Sequence, residues 1–308
     1  MVIKSKFKNT QKLKAWIVSL RLRTLPLALS TIFMGSIIAA WQHQFNTKVL
    51  LWAAITTLFL QILSNLANDY GDTISGADNE TRVGPQRMIQ SGAITLAQMK
   101  TAIIISMLLA LSSGIILLFV AFDHLQWKQL LFFFLGIAAI AAAIRYTVGK
   151  NPYGYRGLGD FYVFIFFGLL GVAGSWFLHT NLWQWNVLLP ASTIGFFSAG
   201  VLNLNNIRDI KTDRASGKTT LVVMLGRSAS AWYHLFLIAA GWITFLIYIL
   251  LNTELVHFWP ILLSLPFFIR SIIIAFTNKE AYKLDKELRN LSLSTLLFVI
   301  LSGITVFI

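Results

Sequence analysis

Two segments of the 308-residue sequence gather amides and carboxylates at helical spacing. In NLANDYGDTISGADNETRVGPQRMIQSGAIT, residues 65–95, Asn68 and Asp72 stand four apart, as do Asn65 and Asp69, while Asp69 and Asp72 stand three apart. On a continuing helix these side chains share one face. Acids aimed at one point repel each other unless a cation joins them, and an all-oxygen set completed by water and phosphate suits Mg²⁺. Gly71 and Gly76 let the chain leave the helix and bring Asp78 round, with Arg82 and Arg87 following. Guanidinium groups bind phosphate through paired hydrogen bonds. Acids and arginines together therefore describe a metal-diphosphate site better than either set alone.

The second segment, NLNNIRDIKTDRASGKTTLVVMLG, residues 203–226, follows the same logic. Asn205, Asp209 and Asp213 fall at successive four-residue steps, Asn206 lies beside them, and Lys218 follows Gly217. Two such sites facing one cavity can hold two Mg²⁺ around a diphosphate and stabilise it as it departs. A shift of 137 residues superposes Asn68 on Asn205 and Asp72 on Asp209, as two four-helix halves with one polar loop each would produce. A third stretch, RYTVGKNPYGYRGLGD (145–160), offers Tyr146, Lys150, Tyr155 and Asp160 as a cap, and SLRLRTLP sets Arg21 and Arg23 at the mouth of the first apolar stretch.

Each feature has a plainer reading. Lys150, Arg156 and Lys218, taken singly, serve equally well as topology charges, and basic residues flank most first spans. The Asn/Asp stripes resist that reading, because an acid at a membrane boundary costs about 2–3 kcal/mol of insertion free energy, and the sequence places the pattern twice.

The elements that must position these groups are membrane spans. The sequence is 56% hydrophobic and only 12% charged, with a mean hydropathy of +0.70, far from the composition of soluble domains. Nine apolar stretches of spanning length are expected at roughly 25–42, 48–67, 99–122, 127–145, 159–179, 186–206, 230–251, 255–276 and 290–308. With the N-terminus inside, 23 of the 25 Lys and Arg fall in alternate, inner segments, leaving Lys48 and Lys128 outside; the positive-inside rule then fixes the orientation. The outer connections carry Trp41, Trp127, Trp183, Trp185 and Trp259 as an interfacial belt. The formal charge of +13 is thus mostly topology, and no nucleic-acid partner is expected. Absence of cysteine excludes disulfides and thiolate metal sites, and the five histidines form no ligand cluster. The basic, polar first 15 residues make a poor signal peptide. No carboxylate falls mid-span, which weighs against ion-coupled transport.

The pattern Asn68-Asp69-x-x-Asp72 with Asp78, Arg82 and Arg87, followed by Asn205/Asn206-x-x-Asp209-x-x-x-Asp213, resembles the UbiA superfamily of intramembrane prenyltransferases. The resemblance covers residues 1–308 as one all-α polytopic domain: two pseudo-repeated halves, about 20–150 and 155–276, and a ninth helix at 290–308. NLANDYGD, QSGAIT, PYGYRGLGD and NNIRDIKTD with GKTTL are similar to the branch that prenylates 1,4-dihydroxy-2-naphthoate in menaquinone synthesis. Many superfamily members place a third acid four residues after the second; here that position is Gly76 and the acid is Asp78. Which acids of the first motif touch metal is therefore open.

The resemblance implies a polyprenyl diphosphate donor and Mg²⁺ held by Asn68, Asp72, Asn205, Asp209 and Asp213, with Asp69 and Asp78 as further ligands. Arg82, Arg87, Lys150 and Lys218 would grip the diphosphate, and Tyr146 would lie near the ionising carbon; apart from the resemblance, Arg21 and Arg23 are the acceptor candidates by their place at the mouth of the first apolar stretch. Asp72, Asp209, Asp213 and Tyr146 are the expected catalytic set. The implied reaction replaces the acceptor's carboxylate, released as CO₂, to give demethylmenaquinol at the inner face of a cell (inner) membrane. The alternatives are another aromatic acceptor such as 4-hydroxybenzoate, or a transporter. Lipid phosphotransferases that use cytidine nucleotides need an Asp-Gly-x-x-Ala-Arg opening that neither segment has.

Overall fold

The computed structural model describes residues 2–76, 87–122, 124, 126–252, 258–278 and 280–305, all helical or looped with no strand among them. The chain runs through α1 (Val2–Leu20), α2 (Leu25–Trp41), α3 (Thr47–Ile74), α4 (Leu96–Ala121) and α5 (Trp127–Arg145). One continuous helical rod then comprises α6 (Gly159–Val163), a π-wound middle (Phe164–Gly174) and α7 (Ser175–Thr180). After it come α8 (Leu188–Ala215), the short α9 (Leu221–Leu225), α10 (Arg227–Leu251), α11 (Leu265–Thr277) and α12 (Ala281–Ile304). Among the described residues nine helices are long and apolar enough to cross a membrane, the number expected from the apolar stretches.

Three helix ends that carry the site outrun the apolar stretches expected from the sequence. α3 runs on to Ile74, α8 runs on to Ala215, and the ninth span begins at Ala281 instead of 290. In each case the apolar window stops while the backbone ladder continues, and one side of the extension faces protein, burying Asp69, Asp72, Asp209, Asp213 and Glu287. On α12, Leu284 is 2% and Glu287 1% exposed, although a hydropathy count reads both as loop. The break at Arg21, in the left-handed region at φ 49°, separates α1 from α2.

α8 is the most enclosed span, packed against α10, the π-wound segment and α12. Aromatic side chains fill that core: Phe197 lies 4.3 Å from Phe268 and Phe245 lies 4.8 Å from Phe298 between ring centroids. α4 and α5 form a thinner wall whose outer surface is apolar and open, with Leu108, Phe119, Leu130 and Phe134 all exposed. Lipid tails satisfy such faces as well as protein would, so in a membrane it is close packing, more than exclusion of water, that selects helix contacts.

Candidate active site

α3 and α8 carry the two Asn/Asp segments in their final turns, and both segments open onto one cavity of about 420 Å³. Asn68, Asp72, Asn205, Asn206, Asp209 and Asp213 line its polar end, with Arg21, Arg23, Arg87, Arg208 and Lys218. The remainder is an apolar shaft walled by α2 to α5 and the π-wound segment, including Leu111, Leu118, Phe132, Phe133, Phe166 and Leu170. The shaft reaches the outer surface where Ile115 and Gly136 both line it and stand exposed.

Asp72 gathers three donors among the described residues. It accepts hydrogen bonds from Arg87 Nη2 at 3.0 Å, the Tyr155 hydroxyl at 2.7 Å and Lys218 Nζ at 3.3 Å. Lys218 also stands 3.8 Å from Asp213 and 4.8 Å from the Tyr155 ring centroid, so a single ammonium joins the two acidic segments. A Schellman turn sets it there. Gly217, at φ 76°, ends α8, and the Lys218 N–H returns to the Asp213 carbonyl at 2.9 Å.

The third loop is anchored to both segments. Thr147 Oγ1 donates to the Ala67 carbonyl at 3.0 Å and to Asn68 Oδ1 at 3.3 Å. Gly71 makes this approach possible, since a Cβ there would sit 2.5 Å from Thr147 Oγ1. At its other end the loop takes hydrogen bonds from Thr219 N and Oγ1 to the Tyr155 carbonyl, at 3.0 and 2.7 Å. Tyr146 lines the cavity and packs edge-on against Tyr153 at 5.4 Å. Burial, then the nearby Asp72, push the Tyr155 phenol well above its ordinary range; burial, then Asp160, do the same for Tyr146. Both remain protonated donors at neutral pH.

The candidates divide as follows. Asn68, Asp72, Tyr146, Arg87, Asn205, Asp209, Asp213 and Lys218 come together at the cavity. Asp69 does not line it: 2% exposed, it is clamped by Arg21 and Arg87. Arg21 and Arg23 both reach the cavity but part company, Arg21 to Asp69 and Arg23 to Asp285. Lys150 is exposed and outside the lining. Asp78 and Arg82 lie outside the described residues.

Three contributors escape a reading by motif. Thr147 lacks charge, Arg208 looks like one more topology cation, and Asp285 sits in what hydropathy reads as loop. The usable signal for Arg208 is that it is flanked by Asn205 and Asp209 on a helix that must continue.

The polar end offers carboxylate and amide oxygens and no sulfur or imidazole, a donor set that fits Mg²⁺. Among the described residues no three His, Cys, Asp or Glu side chains form a metal cage. Phosphate and water oxygens would have to complete the coordination, as is usual for this ion.

A bilayer-spanning helical fold with paired acidic segments over an apolar shaft defines an intramembrane prenyltransferase architecture, and residues 28–296 match the UbiA prenyltransferase family, to which the chain belongs. It is 42% identical over 291 residues to the 1,4-dihydroxy-2-naphthoate octaprenyltransferase of Escherichia coli K12, covering 93% of this chain and 94% of that protein. Among solved structures, the fold is similar to a UbiA homolog from Aeropyrum pernix K1 (TM-score 0.68, 18% identity, 94% of this chain and 99% of that one). It is also similar to a UbiA homolog from Archaeoglobus fulgidus bound to GPP and Mg²⁺ (TM-score 0.59, 14% identity, 93% and 99%).

Proposed function

We propose that the protein transfers a polyprenyl group from polyprenyl diphosphate to 1,4-dihydroxy-2-naphthoate, releasing diphosphate and CO₂ and yielding demethylmenaquinol for menaquinone synthesis. The observation that carries the reading is the single cavity, anionic and cationic at one end and apolar along the rest. One substrate must own both a diphosphate and a long hydrocarbon tail. The acceptor assignment is supported by 42% identity to an enzyme named for that naphthoate.

Asn68, Asp72, Asn205, Asp209 and Asp213 would hold Mg²⁺, which supplies charge neutralisation of the departing diphosphate. Arg87 and Lys218 now rest on Asp72; both can turn to phosphate oxygens without leaving the cavity. Tyr155 keeps Asp72 oriented by donating to it. The Tyr146 ring borders the space between polar end and shaft, where its face can favour an allylic cation. The electron-rich naphthalene carbon bearing the carboxylate then attacks that cation, a C–C bond forms, and CO₂ leaves with the ring regaining aromaticity. The shaft excludes water that would otherwise trap the cation as an alcohol. The site faces the cytoplasm of a bacterial (inner) membrane in this reading, as the distribution of Lys and Arg supports.

The test is proteoliposomes carrying the purified protein with radiolabelled polyprenyl diphosphate and either 1,4-dihydroxy-2-naphthoate or 4-hydroxybenzoate, with Mg²⁺ or chelator. Label should enter the naphthoate product and stop with chelator. Transfer only to 4-hydroxybenzoate would overturn the acceptor, and chelator-resistant transfer would overturn the metal.

A further inference from the structure

Asp285 belongs to neither acidic segment, yet it gathers two arginines far apart in the chain, Arg23 and Arg208. Its carboxylate accepts from Arg23 Nη1 at 3.1 and 2.9 Å and from Arg208 Nη1 at 2.5 Å. The Arg208 side chain is only 2% exposed. Its opposite edge takes both oxygens of Asp209, Nε to Oδ1 at 2.8 Å and Nη2 to Oδ2 at 2.6 Å, and Nη2 also reaches Asn205 Oδ1 at 2.8 Å. Arg23, Arg208, Asn205 and Asp209 all line the cavity, whereas Asp285 stands behind them.

A guanidinium is a rigid planar fork. Fixing one Nη of Arg208 therefore fixes the edge that holds Asp209 and Asn205. The charges also balance, two arginines against two aspartates, and the Arg23 and Asp285 side chains keep contact with solvent, 29% and 27% exposed. Removing Asp285 would leave Arg208 drawn entirely onto Asp209 and would release Arg23.

We propose that Asp285 is a positioning residue for prenyl transfer, acting through Arg208 to orient Asp209 and Asn205 toward the donor's diphosphate. On this view α12 contributes to the reaction as well as to the bundle. The proposal rests on the functional reading above. The rival role is a brace tying α12 to the turn before α2, which would change stability and leave kinetics alone.

The experiment uses full-length protein in nanodiscs as wild type, D285N, D285E, R208K, R208Q and the D285N/R208Q double variant. Three properties are measured: kcat and KM for donor and naphthoate, affinity for the unreactive donor geranyl S-thiolodiphosphate without turnover, and unfolding temperature. D285N should lose about 10- to 100-fold in kcat/KM, the range for residues that orient a ligand to metal, bind the analogue more weakly and unfold near the wild-type temperature. D285E should recover most of that loss. The double variant should be no worse than R208Q alone, because contacts in one network are non-additive. Wild-type kinetics and analogue affinity in D285N, or losses that multiply in the double variant, would overturn the proposal. Should D285N fail to fold, R208K decides, since lysine keeps the charge but lacks the planar fork that holds Asp209 by two nitrogens while a third reaches Asp285; unchanged kinetics there would also overturn it. Lack of naphthoate turnover by the wild type would count against the functional reading instead.

Discussion

Asp72 receives Arg87, Tyr155 and Lys218 at once, and Asp209 is held edge-on by Arg208. These two acids therefore sit at the centre of their clusters, and Asp72→Ala and Asp209→Ala should each lower turnover on the order of a hundredfold or more, as loss of a charge-stabilising group does. Steady-state assays in proteoliposomes check this, with insertion and yield unchanged. Asp69 should behave differently. Asp69→Asn leaves Arg21 and Arg87 without their shared anion, and breaking a buried ion pair costs about 3–5 kcal/mol; the expected readout is a lower unfolding temperature in detergent together with lost activity. Lys150→Gln, at an exposed position away from the cavity, should stay within about twofold of wild type, as surface substitutions generally do. Spacing made Asn68, Asp72, Asp209 and Asp213 legible in the sequence because period and chemistry point the same way. It could not separate Asp69 from Asp72, which share a face to within one helical step; only the arrival of Arg21 from before the first span distinguishes them.

At the scale of elements, the site depends on helices that outrun their hydrophobic stretches. α3 and α8 end in polar turns that reach past the apolar window, and α12 starts in one. Hydropathy located nine spans but truncated these three, since it scores each side chain as if it faced lipid. The consequence was largest for α12, where Asp285 was hidden. The close approach that bears on the site is Gly71 against Thr147. Gly→Ala inside a helix ordinarily gains about 1 kcal/mol, but here the new Cβ would meet the Thr147 carbonyl at 2.7 Å as well as its hydroxyl. Gly71→Ala should therefore push the third loop off Asn68 and Asp72 and reduce both activity and unfolding temperature. Thr147→Ser should be tolerated, because it keeps the hydrogen bond to the Ala67 carbonyl.

Across the whole molecule, the two walls of the cavity are unequal. The α8, α10 and α12 side is a packed aromatic core, while α5 is the least buried span and lets the shaft reach the surface at Gly136. A side chain at Gly136 meets nothing within 4 Å at Cβ, so Gly136→Phe should fold yet obstruct the shaft. Its KM should rise for long polyprenyl donors and change little for dimethylallyl diphosphate, a comparison made with a donor-length series. Which aromatic residues face the shaft was not readable in the sequence, since lipid-facing and shaft-facing positions have the same chemistry.

The cationic end of the cavity also determines how a turnover finishes. Both substrates reach it as anions, one through phosphate and one through carboxylate, and Arg23, Arg87, Arg208 and Lys218 stand there to receive them. Prenyl transfer with loss of CO₂ removes both of those charges from the joined molecule. The quinol left behind is a neutral, oil-soluble species with no electrostatic hold on the basic end, and beside it lies an apolar passage open at Ile115 and Gly136. Partitioning alone then gives the product a direction of exit, sideways into the bilayer, while diphosphate departs into water. The chemistry itself sorts the two products between phases.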